Sequence, residues 1–343
     1  MHVERVLLAA PRGFCAGVEM AIKALAWMVR AFDPPVYCYH EIVHNRLVVD
    51  RFRDLGVIFV DDIADVAPGA PVMLSAHGSG PEIVRAASER GGYVVNAVCP
   101  LVTKVHHEVK VRAGKGYSVV YVGHAGHDEA VGTMAVAPEA IHLVETEDDV
   151  DRLPPTDEPV ALLAQTTLSH HDWAGVLEAT RRRFPDLWMP GRSDLCFATT
   201  NRQSALVQIA ERCDAVVVIG SANSSNTVAL EKVALAAGCP RVLRVNGADE
   251  LPDDLGGTVG VTAGASAPEE LVRAVIARLG PVQGVEEVAY TAEAEYFPPP
   301  RELRDLLVAI DAVASFALAA PCTPRRTADR DLAASDVLAT LRR

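Results

Sequence analysis

Three cysteines each stand at the start of a helical pattern, and two of them directly follow an apolar, strand-like run. Cys15 follows the run at residues 6–10, and Cys99 follows the run at residues 93–98. Cys196 begins a helical pattern in the same way, and the three are separated by 84 and 97 residues. A feature that recurs at a similar spacing indicates an internal repeat. We therefore predict three related α/β units, each beginning near one of these cysteines.

The correspondence continues beyond each cysteine. Gly123 and Gly220 each lie 24 residues after a cysteine, end an apolar run and begin a polar loop. A later polar loop follows another strand in each unit, at His77, Thr166 and Ser266. Ligands of open parallel sheets bind beyond the carboxyl ends of the strands. If the three units face a common axis, we expect these loops and the three thiols to line one central cavity.

The whole chain alternates strand-like runs with helical patterns, which favours an α/β fold with mostly parallel sheets. We expect units at residues 1–98, 99–195 and 196–282, followed by a C-terminal segment at 283–343. The predicted strands lie at 6–10, 36–39, 57–60, 71–75, 93–98, 118–122, 160–164, 215–219, 242–245 and 259–262. The predicted helices lie at 18–31, 44–55, 81–90, 100–113, 171–183, 199–212, 227–237 and 268–279. An apolar-rich helix at 303–320 is followed by a basic turn at 323–326 and a last helical pattern.

The composition argues against several classes of protein. A net charge of −13 and a pI near 5.3 disfavour nucleic acid as a main partner. No uncharged apolar run approaches the roughly 20 residues of a membrane span, and no secretory signal pattern is present. Seven cysteines are too few for a disulfide scaffold, and we expect Cys38, Cys213, Cys239 and Cys322 to be structural. These features predict a cytoplasmic protein with no membrane or nucleic-acid partner.

Thiols at helix N-termini suit a metal centre, because the unpaired backbone N–H groups there favour the thiolate. Structural zinc normally takes four ligands, often in C-x-x-C pairs, and this chain has no such pair. An iron–sulfur cluster held by three cysteines would leave one iron open to act as a Lewis acid. The alternative that Cys15, Cys99 and Cys196 are only buried core residues stays open at this point.

The polar loops also carry groups that bind anions and transfer protons. Imidazole, hydroxyl and backbone N–H groups can all donate to phosphate oxygens. The candidates are His44, His77, His127, Ser224, Asn226 and Ser266. Glu129 is the candidate proton donor, oriented by Thr166, because burial raises the pKa of a carboxyl group. Two alternatives remain: Glu129 only stabilises a helix start, or the neighbouring Asp128 is the acid.

These loops resemble those of the 4-hydroxy-3-methylbut-2-enyl diphosphate reductase family, whose members act last in the methylerythritol phosphate isoprenoid pathway. The resemblance covers residues 5–306 in ordered blocks. The matching blocks are PRGFCAGVEMAI (11–22), EIVHNRLVVDRF (41–52), SAHGSGP (75–81), CPLVTKVH (99–106), GHAGHDEAVGTM (123–134), AQTTLS (164–169), CFATTNRQ (196–203), GSANSSNT (220–227) and TAGASAPEELV (262–272).

The resemblance implies one 4Fe–4S cluster held by Cys15, Cys99 and Cys196, with one open iron, which can appear as a three-iron cluster after oxidation. It implies proton delivery by Glu129 and a hydroxyl-orienting role for Thr166. The family's diphosphate-binding positions match His44, His77, His127, Ser224, Ser225, Asn226 and Ser266. The implied reaction is a two-electron reductive dehydroxylation that gives isopentenyl and dimethylallyl diphosphates. Its electrons would come from a one-electron donor such as a ferredoxin or flavodoxin.

Two features depart from the family pattern. Asp128 stands where members often have proline, and the chain continues past the usual end through residues 307–343. Two other functions also stay open: a zinc or thiol enzyme acting on an anionic substrate, and a non-catalytic iron–sulfur sensor or binding module. Iron and sulfide content distinguishes the first from a reductase, and turnover of the allylic diphosphate distinguishes the second.

Overall fold

The structure is a computed structural model that describes residues 1–317 and 329–341. It has the predicted α/β architecture with three sheets, and every strand pair in the described residues is parallel. The strands in chain order are β1 (His2–Ala10), β2 (Val36–Tyr39), β3 (Val57–Val60), β4 (Pro71–Leu74), β5 (Tyr93–Asn96), β6 (Ser118–Val122), β7 (Ile141–Val144), β8 (Val160–Ala164), β9 (Ala215–Ile219), β10 (Val242–Val245), β11 (Gly256–Ala263) and β12 (Val285–Ala289). The α-helices are α1 (Ala16–Ala31), α2 (Arg46–Asp54), α3 (Pro81–Arg90), α4 (Pro100–Ala113), α5 (Asp128–Met134), α6 (Glu147–Arg152), α7 (His170–Arg183), α8 (Phe197–Ala210), α9 (Ser225–Ala236), α10 (Glu269–Leu279), α11 (Arg301–Ala317) and α12 (Ala334–Thr340).

The chain divides into two compact units. The first comprises Met1–Cys15 and Pro100–Ala294, and it contains two of the sheets. The second comprises Ala16–Cys99 and the described part of Glu295–Arg343, and it contains the third sheet. No helix within the described residues is both long and apolar enough to cross a membrane.

The larger sheet of the first unit has the strand order β10-β9-β11-β1-β12. All five residues of β9 are buried, and alternate residues along it face two different hydrophobic clusters. Helix α8 contributes Leu206 and Ile209 to one cluster, and α10 contributes Val272 and Val275 to the other. Parallel strands covered on both faces are continuously apolar for this reason, which explains why the sequence identified them.

Strand β1 lies in a different sheet from the strands that follow it in the chain. It pairs with β11 and β12, with Val6 opposite both Val259 and Val285. Its two faces lie in the two hydrophobic clusters of this sheet: Val6 and Leu8 belong to one, and Leu7 and Ala9 belong to the other. We predicted β1 within the unit at residues 1–98, but by strand pairing it belongs to the sheet formed by later parts of the chain. An apolar pattern indicates a strand without specifying a partner far along the sequence.

The smaller sheet of the first unit has the order β7-β6-β8. Its two long strands, β6 and β8, are buried over all five residues each. Val109 of α4 and Val176 of α7 lie in the two hydrophobic clusters that cover the opposite faces of these strands. The loops after β6 and β8 therefore start from adjacent, rigid strand ends.

The second unit is built on a sheet of order β3-β2-β4-β5. Its C-terminal helix α12 packs against α1, with Ala334 and Leu338 buried. Lys23 of α1 is also buried, and its ammonium donates to the carbonyl oxygens of Asp329 and Leu332 at 3.0 and 3.1 Å. Residues 329–341 of the C-terminal extension thus pack against the helix that follows Cys15 in sequence.

Most predicted elements are present, and several others were not predicted. Strands β7 and β12 and helices α5 and α6 were absent from the prediction. The apolar-rich helix predicted at residues 303–320 is α11, which the structure describes as Arg301–Ala317. Residues 318–320 and the predicted turn at 323–326 lie outside the described residues.

Candidate active site

Glu129 and Thr166 meet at the carboxyl end of the smaller sheet of the first unit. Helix α5 places Glu129 in its first turn after β6, and Thr166 follows the neighbouring strand β8. The backbone N–H of Thr166 donates to Oε1 of Glu129 at 2.7 Å, and the Thr166 hydroxyl donates to Oε2 at 3.0 Å. Both side chains are buried. The two strand ends therefore form one buried carboxyl–hydroxyl unit.

Burial raises the pKa of the Glu129 carboxyl from 4.5 to about 7, because a buried carboxylate loses its hydration. The two hydrogen bonds from Thr166 lower this pKa, and the nearby carboxylate of Asp194 raises it further. Asp194 is itself buried and accepts from Lys104 Nζ at 3.0 Å and from the backbone N–H of Ala164 at 3.2 Å. A carboxyl group with a pKa near neutrality can hold a proton and release it, as a general acid must.

His127 precedes α5 and caps it through its ring. The ring Nδ1 accepts a hydrogen bond from the backbone N–H of Glu129 at 3.1 Å. Because Nδ1 is an acceptor, the neutral ring carries its proton on Nε2, where it can donate to an anion. Asp128 lies beside His127 and is partly exposed. Of the two neighbouring acids, Glu129 is the one hydrogen-bonded to Thr166.

Two of the predicted anion-binding serines lie at the start of α9, beyond the carboxyl end of β9. Ser224 caps the helix, since its Oγ accepts from the backbone N–H of Thr227 at 3.4 Å. Ser225 Oγ lies 3.2 Å from Nδ1 of His124. Both serines are more than nine-tenths buried. Their hydroxyls are therefore oriented by neighbouring groups rather than by solvent.

Asn226 connects this helix start to the loop after β11 and to the first turn of α8. Its Oδ1 accepts from the backbone N–H of Ala265 at 3.0 Å, next to the buried Ser266 that follows β11. Its Nδ2 donates to the hydroxyl of Thr199 at 3.3 Å. The loops that carry Ser224–Asn226 and Ser266 are thus joined at a buried amide side chain.

Cys196 caps α8 through its sulfur. Cys196 Sγ accepts from the backbone N–H of Thr199 at 3.2 Å and lies 3.0 Å from the Thr199 hydroxyl. Burial and the nearby Cys15 raise the pKa of Cys196 to about 12, while the Thr199 hydrogen bonds and Arg202 lower it. The backbone N–H of Cys15 donates to the carbonyl of Ala265 at 3.3 Å. Two predicted ligands are therefore close enough within the first unit for their charges to interact.

The second unit contains the other three predicted residues, each at a strand end or helix start. The rings of His44 and His77 stack with their centroids 4.1 Å apart and an interplanar angle of 16°. His44 Nδ1 lies 3.4 Å from a Glu41 carboxylate oxygen, and Ser75 Oγ lies 3.4 Å from His77 Nδ1. Cys99 follows β5, and its backbone N–H donates to the carbonyl of residue 76 at 3.0 Å. The structure thus pairs the two histidines that the strand-end argument selected separately.

Comparison with known proteins identifies the family. Residues 6–280 match the family described as LytB protein. The chain belongs to the LytB family.

Two relatives and one solved structure illustrate how far the likeness extends. This LytB chain is 47% identical over 310 residues to the 4-hydroxy-3-methylbut-2-enyl diphosphate reductase of Rhodopirellula baltica, over 88% of this chain and 96% of the relative. It is 46% identical over 307 residues to 4-hydroxy-3-methylbut-2-enyl diphosphate reductase 1 of Mycobacterium bovis, over 88% and 92% respectively. The solved E-1-hydroxy-2-methyl-but-2-enyl-4-diphosphate reductase from Plasmodium falciparum matches with a TM-score of 0.86 at 31% identity, over 90% of this chain and 99% of that one.

The structure adds residues to the candidate site that sequence reasoning did not select. Thr199 binds the Cys196 sulfur, Asp194 interacts with Glu129, and His124 contacts Ser225. Only Thr199 had a local signal. It lies three residues after Cys196, at the position whose backbone N–H donates to the side chain of a helix-capping residue. Arg202 is completely buried beside the loop that carries Cys15.

Proposed function

We propose that this chain is a 4-hydroxy-3-methylbut-2-enyl diphosphate reductase. The reaction is a reductive dehydroxylation in which the allylic alcohol takes up two electrons and two protons. It releases water and yields isopentenyl and dimethylallyl diphosphates, as the last step of the methylerythritol phosphate pathway. The observation that carries this proposal is the 47% identity to a named reductase over 96% of that relative's length. The buried Glu129–Thr166 pair supports it, because the reaction needs a proton donor.

We propose that Cys15, Cys99 and Cys196 hold a 4Fe–4S cluster with one iron free of protein ligands. The donor chemistry fits, because thiolates are the usual ligands of such clusters. Cys15 raises the pKa of Cys196, and a metal cation would offset the repulsion between two neighbouring thiolates. When bound, the cluster would supply electrons one at a time and a Lewis-acidic iron.

The diphosphate group would be bound by imidazole, hydroxyl and amide donors. We assign this role to His44, His77, His127, Ser224, Ser225, Asn226 and Ser266. For His127, the support is the bond that its Nδ1 accepts, because this bond places the proton of the neutral ring on Nε2, a donor suited to an anion. For Ser224, Ser225, Asn226 and Ser266, the support is burial, since hydrogen bonds to an anion are stronger where water is excluded.

Glu129 would deliver the proton that allows the hydroxyl to leave as water. Its pKa of about 7 keeps a substantial fraction protonated at neutral pH, so the acid is available without a large energetic cost. Once the proton has left, both carboxylate oxygens accept hydrogen bonds from Thr166, which limits the cost of the buried charge. Thr166 would also orient the hydroxyl that receives the proton. The electrons would come from a one-electron donor of the ferredoxin or flavodoxin type.

The deciding experiment is an anaerobic assay of the holoenzyme with a chemical reductant and the allylic diphosphate substrate. We expect both isomeric diphosphate products, and iron and sulfide at about four each per chain. Glu129→Gln should keep the cluster and lose most turnover, whereas Glu139→Gln at an exposed position is the matched control. Cys99→Ser should lower the iron content itself.

Two results would contradict the proposal. Zinc without sulfide would indicate a zinc or thiol enzyme. An intact cluster that gives neither product would indicate an iron–sulfur sensor or binding module.

A further inference from the structure

Arg202 of α8 is completely buried, and all five of its N–H donors have acceptors. Nε and Nη2 donate to the carbonyl of Gly13 at 3.0 and 2.8 Å, and Nη2 also donates to the carbonyl of Phe14 at 3.2 Å. Nη1 donates to the carbonyl of Ala198 at 2.9 Å and to the carboxylate of Glu293 at 3.0 and 3.1 Å. A buried arginine with this arrangement holds several segments in one geometry.

The first segment is the loop that carries Cys15. The carbonyls of Gly13 and Phe14, which Arg202 binds, immediately precede this cysteine. Gly13 has a φ of +67°, which side chains disfavour, and a Cβ there would lie 3.1 Å from the Ala267 carbonyl. The loop therefore has a specific conformation, and the guanidinium group donates to two of its carbonyl oxygens.

The second segment is the first turn of α8, which Cys196 caps. Arg202 lies on this helix, and its bond to the Ala198 carbonyl directs its side chain back toward the helix N-terminus. The positively charged guanidinium group is thus held beside the helix turn that Cys196 caps. One side chain contacts the structural elements that carry two sulfurs and places its positive charge beside both elements.

The third segment supplies the counter-charge. Glu293, which follows β12, accepts from Arg202 and also from Asn201 Nδ2 at 3.1 Å. These bonds fix the plane of the guanidinium group. Lysine could not replace this arrangement, since its ammonium has three donors at one point rather than a planar fork.

We propose that Arg202 is a positioning residue for the iron–sulfur centre, which fixes the Cys15 loop relative to Cys196 and offsets the negative charge of their sulfurs. This inference rests on the proposed cluster and goes beyond the ligand set, because it assigns assembly and redox tuning to a residue that binds no metal.

The test uses anaerobically reconstituted full-length protein and reads iron content, sulfide content and cluster midpoint potential. Arg202→Lys should lower iron and sulfide severalfold in a protein that still folds by circular dichroism. Arg202→Met removes a positive charge and should shift the potential of any remaining cluster to a more negative value. Glu293→Gln removes the counter-charge and should shift the potential to a more positive value. Opposite shifts are not expected from a purely structural defect.

The matched control is Arg212→Lys, the same exchange just beyond the other end of α8. Arg212 is exposed and pairs with Glu286 at 3.3 Å, so this variant should match the wild type in iron content and potential. If Arg202→Met retains too little cluster to titrate, Glu293→Gln decides alone. Full iron content in Arg202→Lys, or an unshifted potential in Glu293→Gln, would overturn the inference. A wild-type chain that binds no iron or sulfide would instead overturn the proposed cofactor.

Discussion

Replacing Glu129 with glutamine should stabilise the protein at high pH while it removes activity. Below the unfolded-state pKa of 4.5, the carboxyl is neutral in both folded and unfolded chains, so it imposes no charge penalty. As the pH rises toward 7, the unfolded chain loses its proton while the folded chain keeps it, and folding stability falls. Above about 7 the buried carboxylate carries the full penalty. A glutamine side chain is neutral at every pH and carries no such charge penalty.

The size of the effect follows from the two pKa values. The rise from 4.5 to about 7, at ~1.36 kcal/mol per pH unit, corresponds to about 3 kcal/mol at high pH. Part of this penalty is already present at pH 5, so the stability advantage of Glu129→Gln should grow by about 2–3 kcal/mol between pH 5 and pH 8. Glutamine keeps both contacts to Thr166, because its oxygen can accept from the N–H and its amide can donate to the hydroxyl. Turnover should fall by about 10²- to 10⁴-fold.

Urea denaturation of the metal-free protein at pH 5, 6, 7 and 8 measures this difference. Trp173 and Trp188 lie in the first unit with Glu129, so a Trp27→Phe background restricts tryptophan fluorescence to that unit. The exposed Glu139→Gln variant controls for the loss of one negative charge. If the advantage of Glu129→Gln is the same at pH 5 and pH 8, or if Glu139→Gln reproduces its growth, the argument from burial is wrong.

Three further predictions follow from buried contacts. Lys104→Met leaves the buried Asp194 carboxylate without its cation and should lower the free energy of unfolding by about 2 kcal/mol, measured by urea titration. This loss is smaller than the ~3–5 kcal/mol expected for a fully buried ion pair, because the Lys104 side chain is 35% exposed. Lys23→Met removes the bonds to the segment before α12 and should speed amide hydrogen exchange in Ala334–Thr340 but not in β9. His124→Phe should raise KM about fivefold with kcat little changed, because Ser225 loses one hydrogen bond worth ~1 kcal/mol. His124→Asn, which can place an amide near the Nδ1 position, should restore most of the affinity, and equal KM values in the two variants would count against this role.

The elements that the sequence predicted are those whose burial shows in local composition. Strands β6, β8 and β9 are buried along their whole length, so each is a continuous apolar run. The edge strand β12 has the sequence VEEVA, and its first three residues are exposed. It therefore has no continuous apolar run. Helices α5 and α6 have seven and six residues, too few to establish a helical period.

In the candidate site too, local sequence predicts some contacts and not others. Glu129 and Thr166 follow adjacent strands, and the rule that parallel strand ends share one edge is sufficient to associate them. Arg202 is different, because its partners Gly13 and Glu293 are remote in sequence. They follow β1 and β12, which come together only where these two strands pair in the larger sheet. No local pattern distinguishes such an arginine from one on a helix surface.

Thr166 is hydrogen-bonded both to the proposed acid, Glu129, and to a proposed cluster ligand, Cys196. Its N–H and hydroxyl both bind the Glu129 carboxylate, and its carbonyl accepts from the backbone N–H of Cys196 at 2.9 Å. The position of the sulfur thus depends on the backbone of Thr166, whereas the proton affinity of Glu129 depends on both its backbone and its side chain. A change confined to the hydroxyl can therefore alter the acid without moving the ligand. We therefore expect a change confined to the Thr166 hydroxyl to alter the pKa of Glu129 while the fold around Cys196 stays the same.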